Sequence, residues 1–393
     1  MDGGLTSVGD RSTERLVLTA HAPVAEAAVA LAGLAAAGRA SEAGLALVAL
    51  FVSPEADVAA LAAEAGAMFP GVPVIGCTTA GEIAPAGYVT GEVVAVGLAA
   101  SHFAARVELV RGVRDLDAAR MGERTIRMRA DLAASRPDWT WEFAWLLNDG
   151  LAQREDQVAA ALRYALGTVP LFGGSAGDGL NFRRTAVIAE GGAHADAAVL
   201  AVIRSRCPAR VFKFDHFRPT GTLMKVTRAD AARRVVCEIN GRPAADEYAR
   251  LIGCAPELLS PFVFAAHPLV VTAGGGHDVR AVQKVEPDGG LAFYSRIETG
   301  QTLTLAEPTD ICAHLARSLG RLSRQIQPLA VIGCDCVLRR LEVEHKGASA
   351  AMSRVLASFG VIGFNTYGEQ FNAVHVNQTF TGVAIYPPED EPA

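Results

Sequence analysis

Two cysteines, Cys334 and Cys336, flank Asp335 where the apolar run LAVIG gives way to the helix-like stretch VLRRLEVEH. Two thiols and a carboxylate at this spacing can bind a soft metal ion or undergo redox chemistry. Buried structural cysteines also occur in this pattern, so both interpretations stay open. Cys77 is a further candidate nucleophile, and a thiol-dependent enzyme that uses Cys77 or Cys334 is one hypothesis for the chain.

Three histidines, His216, His267 and His375, lie beside aromatic or apolar residues. A lone histidine in such company is more often a hydrogen-bonded core residue than a metal ligand. His375 and Asn377 share one face of an extended run, because side chains alternate along a strand. This polar face is expected either at a solvent-exposed strand edge or on the wall of a ligand cleft, and both stay candidate ligand-binding residues.

The common catalytic motifs do not occur in the sequence. It contains no CxxC, HExxH, CxxCH or GxxxxGK[ST], which are typical of redox, zinc, haem and nucleotide sites. Glycine-rich residues 173–179 could form an anion nest from successive backbone amides, but they lack the lysine of a nucleotide loop. The seven cysteines are scattered and odd in number, which predicts reduced thiols rather than a disulfide framework.

One sequence pattern, which we call the frame, recurs at 74–82, 170–178 and 361–369. It consists of two apolar residues and a glycine, then small or hydroxyl residues, and then a glycine followed by an acidic residue. Glycine is expected to let each strand turn with a positive φ, so that polar side chains face the space beyond the strand. In α/β sheets ligands bind in that space. Turn formation explains any single copy, whereas three copies at one crevice would indicate a ligand site. The candidate ligand-binding residues in the frames are Thr78, Thr79, Glu82, Ser175, Asp178, Thr366, Tyr367 and Glu369.

Each frame follows a buried strand and an alanine-rich helix. Strands are predicted at 44–52, 142–147, 197–203 and 329–333, and helices at 55–68, 153–166 and 348–358. Polar residues that end the second and third strands join the candidate ligand site, namely Asn148, Asp149, Cys334 and Asp335. The repeated strand–helix–strand units predict an α/β fold of two related mixed-sheet domains.

Length and charge indicate the number of domains and exclude some partners. The chain has 393 residues, half of them hydrophobic, and a formal net charge of −6. These values predict two domains and no nucleic-acid partner. We predict a disordered tail at 1–14, an N-terminal domain at 15–233 and a C-terminal domain at 234–393. No apolar stretch reaches the roughly 18 residues of a membrane span and no signal peptide is evident, so a cytoplasmic protein without a membrane partner is expected.

Six stretches together resemble the FIST family of sensory proteins over roughly residues 40–388: VIGCTTAGEI, PLFGGSAGDGLNF, EINGRPAADEYARLIG, HPLVV, CDCVLRRLE and FNTYGEQFNAVHVNQTFTGVAIYP. The resemblance implies a non-enzymatic sensor of a small ligand that regulates a histidine kinase or cyclic-di-GMP enzyme on a separate chain. The chain is also similar to the nitric-oxide-sensing FIST haemoproteins (NosP), which implies a haem held by His375, His216 or His267. A haem-free FIST sensor of another small metabolite is the alternative.

Overall fold

The computed structural model describes residues 16–40, 43–273 and 276–389, so the tail predicted at 1–14 lies outside the described residues. Over this part the chain is a mixed α/β protein with four sheets. Three sheets share one strand order and are built from a repeated unit, and the fourth belongs to an insertion in the third repeat. The predicted α/β class with repeated strand–helix–strand units is therefore confirmed.

Each repeat runs strand, helix, strand, helix, strand, two-strand hairpin, strand, and the third repeat contains one further helix. Repeat 1 comprises β1 (Val17–Pro23), α1 (Ala27–Ala40), β2 (Leu45–Val52), α2 (Val58–Met68), β3 (Val74–Thr78), β4 (Glu82–Ala84), β5 (Gly87–Val89) and β6 (Glu92–Ala99). Repeat 2 comprises β7 (Phe103–Arg111), α3 (Ala118–Ser135), β8 (Trp141–Asn148), α4 (Glu155–Leu166), β9 (Leu171–Ser175), β10 (Val187–Ala189), β11 (Gly192–His194) and β12 (Ala197–Ser205).

Repeat 3 begins with β13 (Ala209–Phe214) and is then interrupted by the insertion, residues 217–308. The insertion comprises β14 (Phe217–Asp230), β15 (Val235–Ile239), β16 (Arg242–Pro243), α5 (Ala244–Ile252), α6 (Pro261–Ala266), β17 (Leu269–Ala273), β18 (Gly276–Arg280), β19 (Val282–Val285), β20 (Leu291–Phe293) and β21 (Thr302–Pro308). Repeat 3 continues with α7 (Ile311–Leu322), β22 (Ala330–Cys336), α8 (Val337–His345), α9 (Ser349–Ser358), β23 (Val361–Thr366), β24 (Glu369–Phe371), β25 (Val374–Val376) and β26 (Phe380–Ile385). Short 3-10 helices span Val24–Glu26, Val113–Asp115 and Pro256–Leu258.

The hairpin of each repeat leaves its own sheet and completes another. Sheet 1 has the order β1-β6-β2-β3-β10-β11, sheet 2 the order β7-β12-β8-β9-β24-β25, and sheet 3 the order β13-β26-β22-β23-β4-β5. In each sheet the third and fourth strands are parallel, and the other neighbours are antiparallel. This cyclic exchange joins the three repeats into one body with a threefold plan.

The inner faces of the three sheets share one hydrophobic core. Phe51 of sheet 1 stacks on Phe364 of sheet 3 with ring centroids 4.6 Å apart, and Trp145 stacks on Phe172 of sheet 2 at 5.1 Å. The outer faces are covered by α1 and α2, by α3 and α4, and by α7 and α9 respectively. Burial of these large apolar side chains stabilises the body, and the insertion has a separate core of its own.

The frame glycines Gly76, Gly173 and Gly363 lie inside β3, β9 and β23, and none has a positive φ. The turn geometry expected for them from the sequence is therefore wrong. A β-carbon at these positions would lie 2.4, 1.9 and 1.8 Å from a carbonyl oxygen of the neighbouring parallel strand. Glycine is required because the two strand backbones approach closely.

Candidate functional site

The three frames meet at the centre of the three-repeat body, where each bonds to the strand end of another sheet. The bonds run in a cycle, from Ala80 N to Asn365 O at 2.9 Å, from Gly177 N to Thr78 O at 3.0 Å, and from Tyr367 N to Ser175 O at 3.2 Å. The repeated pattern therefore does mark loops that come together in space.

In the first frame and in the third frame, a threonine and a glutamate of the same frame are hydrogen-bonded to each other. The hydroxyl of Thr79 donates to Glu82, and that of Thr366 donates to Glu369. Glu369 also accepts hydrogen bonds from the backbone N and hydroxyl of Thr379 at 3.2 and 2.7 Å. Burial, opposed by these bonds, raises the pKa of Glu82 to about 7 and the pKa of Glu369 to about 8. Both groups are buried and are engaged inside the protein.

In the second frame the carboxylate is hydrogen-bonded to the loop that follows the frame. Asp178 accepts hydrogen bonds from the backbone N–H groups of Phe182, Arg183 and Arg184, each at 2.8 Å, and from the hydroxyl of Tyr367. Burial acts to raise the pKa of Asp178, but the bonds from Tyr367 and the three amides lower it below its usual value. The ring of Phe182 stacks on Tyr367 at 4.3 Å, which fixes the second frame against the third.

The cysteine-rich stretch is packed in the core. Cys77, Cys334 and Cys336 are buried, and burial raises the pKa of each thiol well above its usual value. Asp335 accepts a hydrogen bond from Arg339 Nε at 2.6 Å and another from the hydroxyl of Tyr88. Over residues 16–40, 43–273 and 276–389 no group of three or more His, Cys, Asp and Glu side chains could hold a metal ion.

His216 is a fully buried member of a polar network. Its Nε2 lies 3.0 Å from both carboxylate oxygens of Glu342, and its Nδ1 lies 3.1 Å from Nη1 of Arg339. Burial lowers the pKa of His216, although Glu342 opposes the shift. Both ring nitrogens are occupied, so His216 has no nitrogen to offer to an iron atom.

His375 and His267 contrast with each other. The ring nitrogens of His375 lie 3.4 and 3.3 Å from the side-chain amide nitrogens of Gln370 and Asn377. His267 is partly exposed, and within the described residues its ring makes no hydrogen bond, ion pair or ring contact. Of the three candidate haem ligands, His267 alone has ring nitrogens that iron could reach without breaking a contact.

A polar cluster lies on the outer face of sheet 2, at the carboxyl ends of β8 and β9 and under α4. Asn148 pairs in register with Ser175, Gln370 pairs with Gly173, and His375 pairs with Gln370. Because side chains alternate along a strand, these residues share one face. We call Asn148, Ser175, Gln370 and His375 the sheet-2 site.

The sheet-2 site contains polar atoms without partners. Gln370 Nε2 donates to Ser175 Oγ at 3.0 Å, but Gln370 Oε1 and both amide atoms of Asn148 have no partner within the described residues. Asn148 is 2% exposed and Gln370 is 0% exposed. Leaving a buried polar group unbonded costs about 1–3 kcal/mol, and native proteins bond nearly all such groups. Unbonded atoms at strand carboxyl ends are therefore a sign of a ligand site.

The insertion closes this site from the other side. Ser295 Oγ donates to Asn377 Oδ1 beside the site. Arg234 Nη2 donates to Glu155 at 3.0 Å and to Asp156 at 3.2 Å, at the start of α4. The site thus lies between the three-repeat body and the insertion.

Arg280 of β18 adds a second guanidinium, since β18 packs against β25. Its Nε is buried and has no partner among the described residues, and its Nη2 lies 4.0 Å from Asp278. Burial first, and then the positive charges of Arg234 and Arg280, lower the pKa of His375 to about 3. His375 is consequently neutral at physiological pH.

The other two sheets supply matched positions for comparison. In sheet 1 the position of Asn148 is taken by Val52 and that of Gln370 by Ile188, and both are buried and apolar. In sheet 3 the position of Asn148 is taken by Asp335, whose carboxylate is bonded to an arginine and a tyrosine. The position of Asn148 is therefore apolar in sheet 1 and bonded in sheet 3, whereas in the described part of the chain it is polar and unbonded in sheet 2.

Two surface grooves of about 410 Å³ each are present, and none of their lining residues belongs to the sheet-2 site. One is lined by Cys312 and Ala351 between α7 and α9, and the other lies between the end of α4 and Asn372. The sheet-2 site itself is closed, since its four side chains are buried. A ligand could reach it only if a neighbouring segment moved.

The residues predicted from the sequence fall into three places. The first place is in or beside the sheet-2 site, with Asn148, Ser175, His375 and Asn377. The second is the centre of the body where the three frames meet, with Thr78, Thr79, Glu82, Asp178, Thr366, Tyr367 and Glu369. The others lie outside both places: Asp149, Cys334, Asp335, His216 and His267. That these residues bind a ligand stays a prediction. The sequence analysis did not identify Gln370, Arg234 and Arg280. Gln370 could have been found by aligning the third frame with the first, because it is a polar residue at the position where the first frame is followed by the apolar Ile83.

The three repeats exchange hairpins, and a buried polar cluster lies at the strand ends of sheet 2, where α/β proteins commonly bind ligands. The FIST N domain model matches residues 46–242, and the FIST C domain model matches residues 244–372. The chain therefore belongs to the FIST family of sensory signalling proteins. A search of curated proteins finds no match to the chain.

The two matched segments meet at residues 242–244, inside the insertion. The division at 233–234 expected from the sequence stays a prediction. Among the described helices, none has the length and apolar character required to cross a membrane.

Proposed function

We propose that the protein is a cytoplasmic, non-enzymatic sensor that binds a small ligand at the sheet-2 site. The unbonded amide of Asn148 carries this proposal. A ligand that bonds to these atoms removes an unfavourable feature of the ligand-free protein. The sensory role of the family supports the same conclusion.

Ligand binding would change how the insertion packs on the body. The insertion leaves and rejoins the body through two adjacent linkers, where Thr309 N donates to His216 O at 2.8 Å. The bond between Ser295 and Asn377 joins the insertion to the strand end that carries the site. We propose that a histidine kinase or cyclic-di-GMP enzyme on a separate chain responds to this movement, as the family resemblance implies.

The substitution Asn148→Val tests the site without knowledge of the ligand. It installs the residue found at the matched position of sheet 1, Val52, and removes two unbonded polar atoms. We expect the free energy of unfolding of the ligand-free protein to rise by about 1–3 kcal/mol, measured by urea denaturation.

The matched control for this test is Asp335→Val, at the equivalent position of sheet 3. It leaves the buried Arg339 without its partner and should lower the free energy of unfolding by several kcal/mol, on the order of 3–5. If Asn148→Val also lowers it, the amide has a structural role and the site assignment fails.

Haem binding is the second candidate, and the open ring nitrogens of His267 favour it. His216 and His375 do not fit, because neighbouring side chains occupy their ring nitrogens. A bound haem would supply an iron atom that binds nitric oxide. After reconstitution with one equivalent of haem, we expect a Soret band that nitric oxide shifts and that His267→Ala abolishes. A featureless visible spectrum, or a band that His267→Ala leaves unchanged, excludes this candidate.

A thiol-dependent enzyme is less consistent with the site geometry. Cys77 and Cys334 are fully buried, and burial raises the pKa of both thiols. The thiolate is the nucleophilic form of cysteine. Burial therefore disfavours a thiolate at both positions, which supports a non-enzymatic role.

A further inference from the structure

The unbonded polar atoms at the sheet-2 site include both hydrogen-bond donors and hydrogen-bond acceptors. Asn148 offers an acceptor, Oδ1, and a donor, Nδ2, on one planar carboxamide. Arg280 Nε adds a further donor. A ligand that bonds to all of them must carry both donors and acceptors.

The charges packed against the site balance without a ligand. Arg234 is paired with Glu155 and Asp156. Asp278 is paired with Lys213 at 2.5 Å and lies 4.0 Å from Arg280. These ion pairs join three basic groups to three acidic groups, and His375 is neutral. A charged ligand would leave one buried charge unpaired, which is far less favourable than burying a neutral group.

We infer that the ligand is a small uncharged molecule with an amide-type edge, which pairs with the Asn148 carboxamide through two parallel hydrogen bonds. This inference rests on the proposed function and specifies its ligand class. Carboxamides recognise such edges in other complexes, as asparagine and glutamine do with the donor–acceptor edge of adenine. A carboxylate offers acceptors alone and an amidinium offers donors alone, so each mismatches one atom of Asn148.

Acetamide, acetate and acetamidinium test this class, because they share one planar shape and differ in donors, acceptors and charge. The three probes are added together, at millimolar concentrations suited to such small ligands, to the full chain. Saturation-transfer NMR reads the separate methyl signal of each probe. We expect transfer to acetamide to exceed transfer to the other two by on the order of tenfold, the effect of one mismatched hydrogen bond.

Two variants assign the binding to the site. Asn148→Asp replaces the donor with a second acceptor and should move the preference to acetamidinium, whereas Asn148→Val should remove acetamide binding. Gln157→Val, which alters an exposed carboxamide on α4, is the control and should change nothing.

Each other outcome has a defined consequence. A preference for acetate or acetamidinium that Asn148→Val abolishes overturns the amide class but keeps the site. Acetamide binding that Asn148→Val leaves intact places that ligand class elsewhere and overturns the inference. No transfer to acetamide in the unmodified protein also overturns it, while the unfolding comparison of Asn148→Val with Asp335→Val still decides the proposed site.

Discussion

At the scale of single residues, two buried carboxyl groups couple the stability of the body to pH. Glu82 and Glu369 occupy matched places in the first and third frames, and each is bonded to the threonine three residues earlier. Burial raises the pKa of Glu369 from 4.5 to about 8. The folded protein therefore keeps a proton that the unfolded chain releases at a lower pH.

This difference predicts how stability changes above neutrality. A raised pKa in the folded state contributes stability that is complete below 4.5 and is lost as pH rises to about 8. We expect the free energy of unfolding to fall between pH 6.5 and 8, by up to about 1.4 kcal/mol per pH unit for one group. Glu369→Gln keeps a neutral side chain and should reduce this slope in urea denaturation at several pH values.

The measurement is made above pH 6.5 because His375 changes the free energy of unfolding with pH in the opposite direction to Glu369. Its pKa is lowered to about 3, so the stability it contributes above 6.5 is lost as pH falls toward 3. Glu123→Gln, on the exposed surface of α3, is the control. A slope that is the same in Glu369→Gln and in the unmodified protein would show that Glu369 ionises in the folded state.

At the scale of elements, local patterns were sufficient to predict strands and helices. The strands predicted at 44–52 and 142–147 correspond to β2 and β8. The helices predicted at 55–68 and 153–166 contain α2 and α4. These elements are recognisable because hydrophobic runs and alanine-rich segments are properties of neighbouring residues.

Long-range pairing explains what the sequence did not reveal. Nothing local indicates that β24 joins β9 of another repeat, which is the pairing that brings Gln370 beside Ser175. Arg234 and Arg280 reach the site from the insertion, far from β8 in the chain. Sequence therefore indicated Asn148 and His375 as candidates but could not place them in one site.

At the scale of the whole molecule, the chain divides into a body and an insertion that differ in how they are held together. The body depends on hairpins exchanged among its three repeats, so each repeat needs another to complete its sheet. The insertion has its own core around Tyr248 and Leu303. It joins the body where His216 and Thr309 are neighbours.

We expect the body to fold when residues 217–308 are replaced by a short glycine-serine linker. The chain ends are adjacent, so closing a short loop there costs little conformational entropy. The surface uncovered at the site is polar, with Glu155, His375 and Asn377, so water can replace the lost bonds. Thermal unfolding followed by circular dichroism should remain a single cooperative transition.

Deleting the hairpin at 369–376 is the matched control for this experiment. Sheet 2 then loses β24 and β25, which repeat 3 supplies, and the hydrogen bonds of the β9 edge and of Glu369 are lost with them. We expect this smaller deletion to abolish cooperative unfolding. If the protein without its insertion also fails to fold cooperatively, the insertion is part of the body, and signalling by its movement relative to the body loses its structural basis.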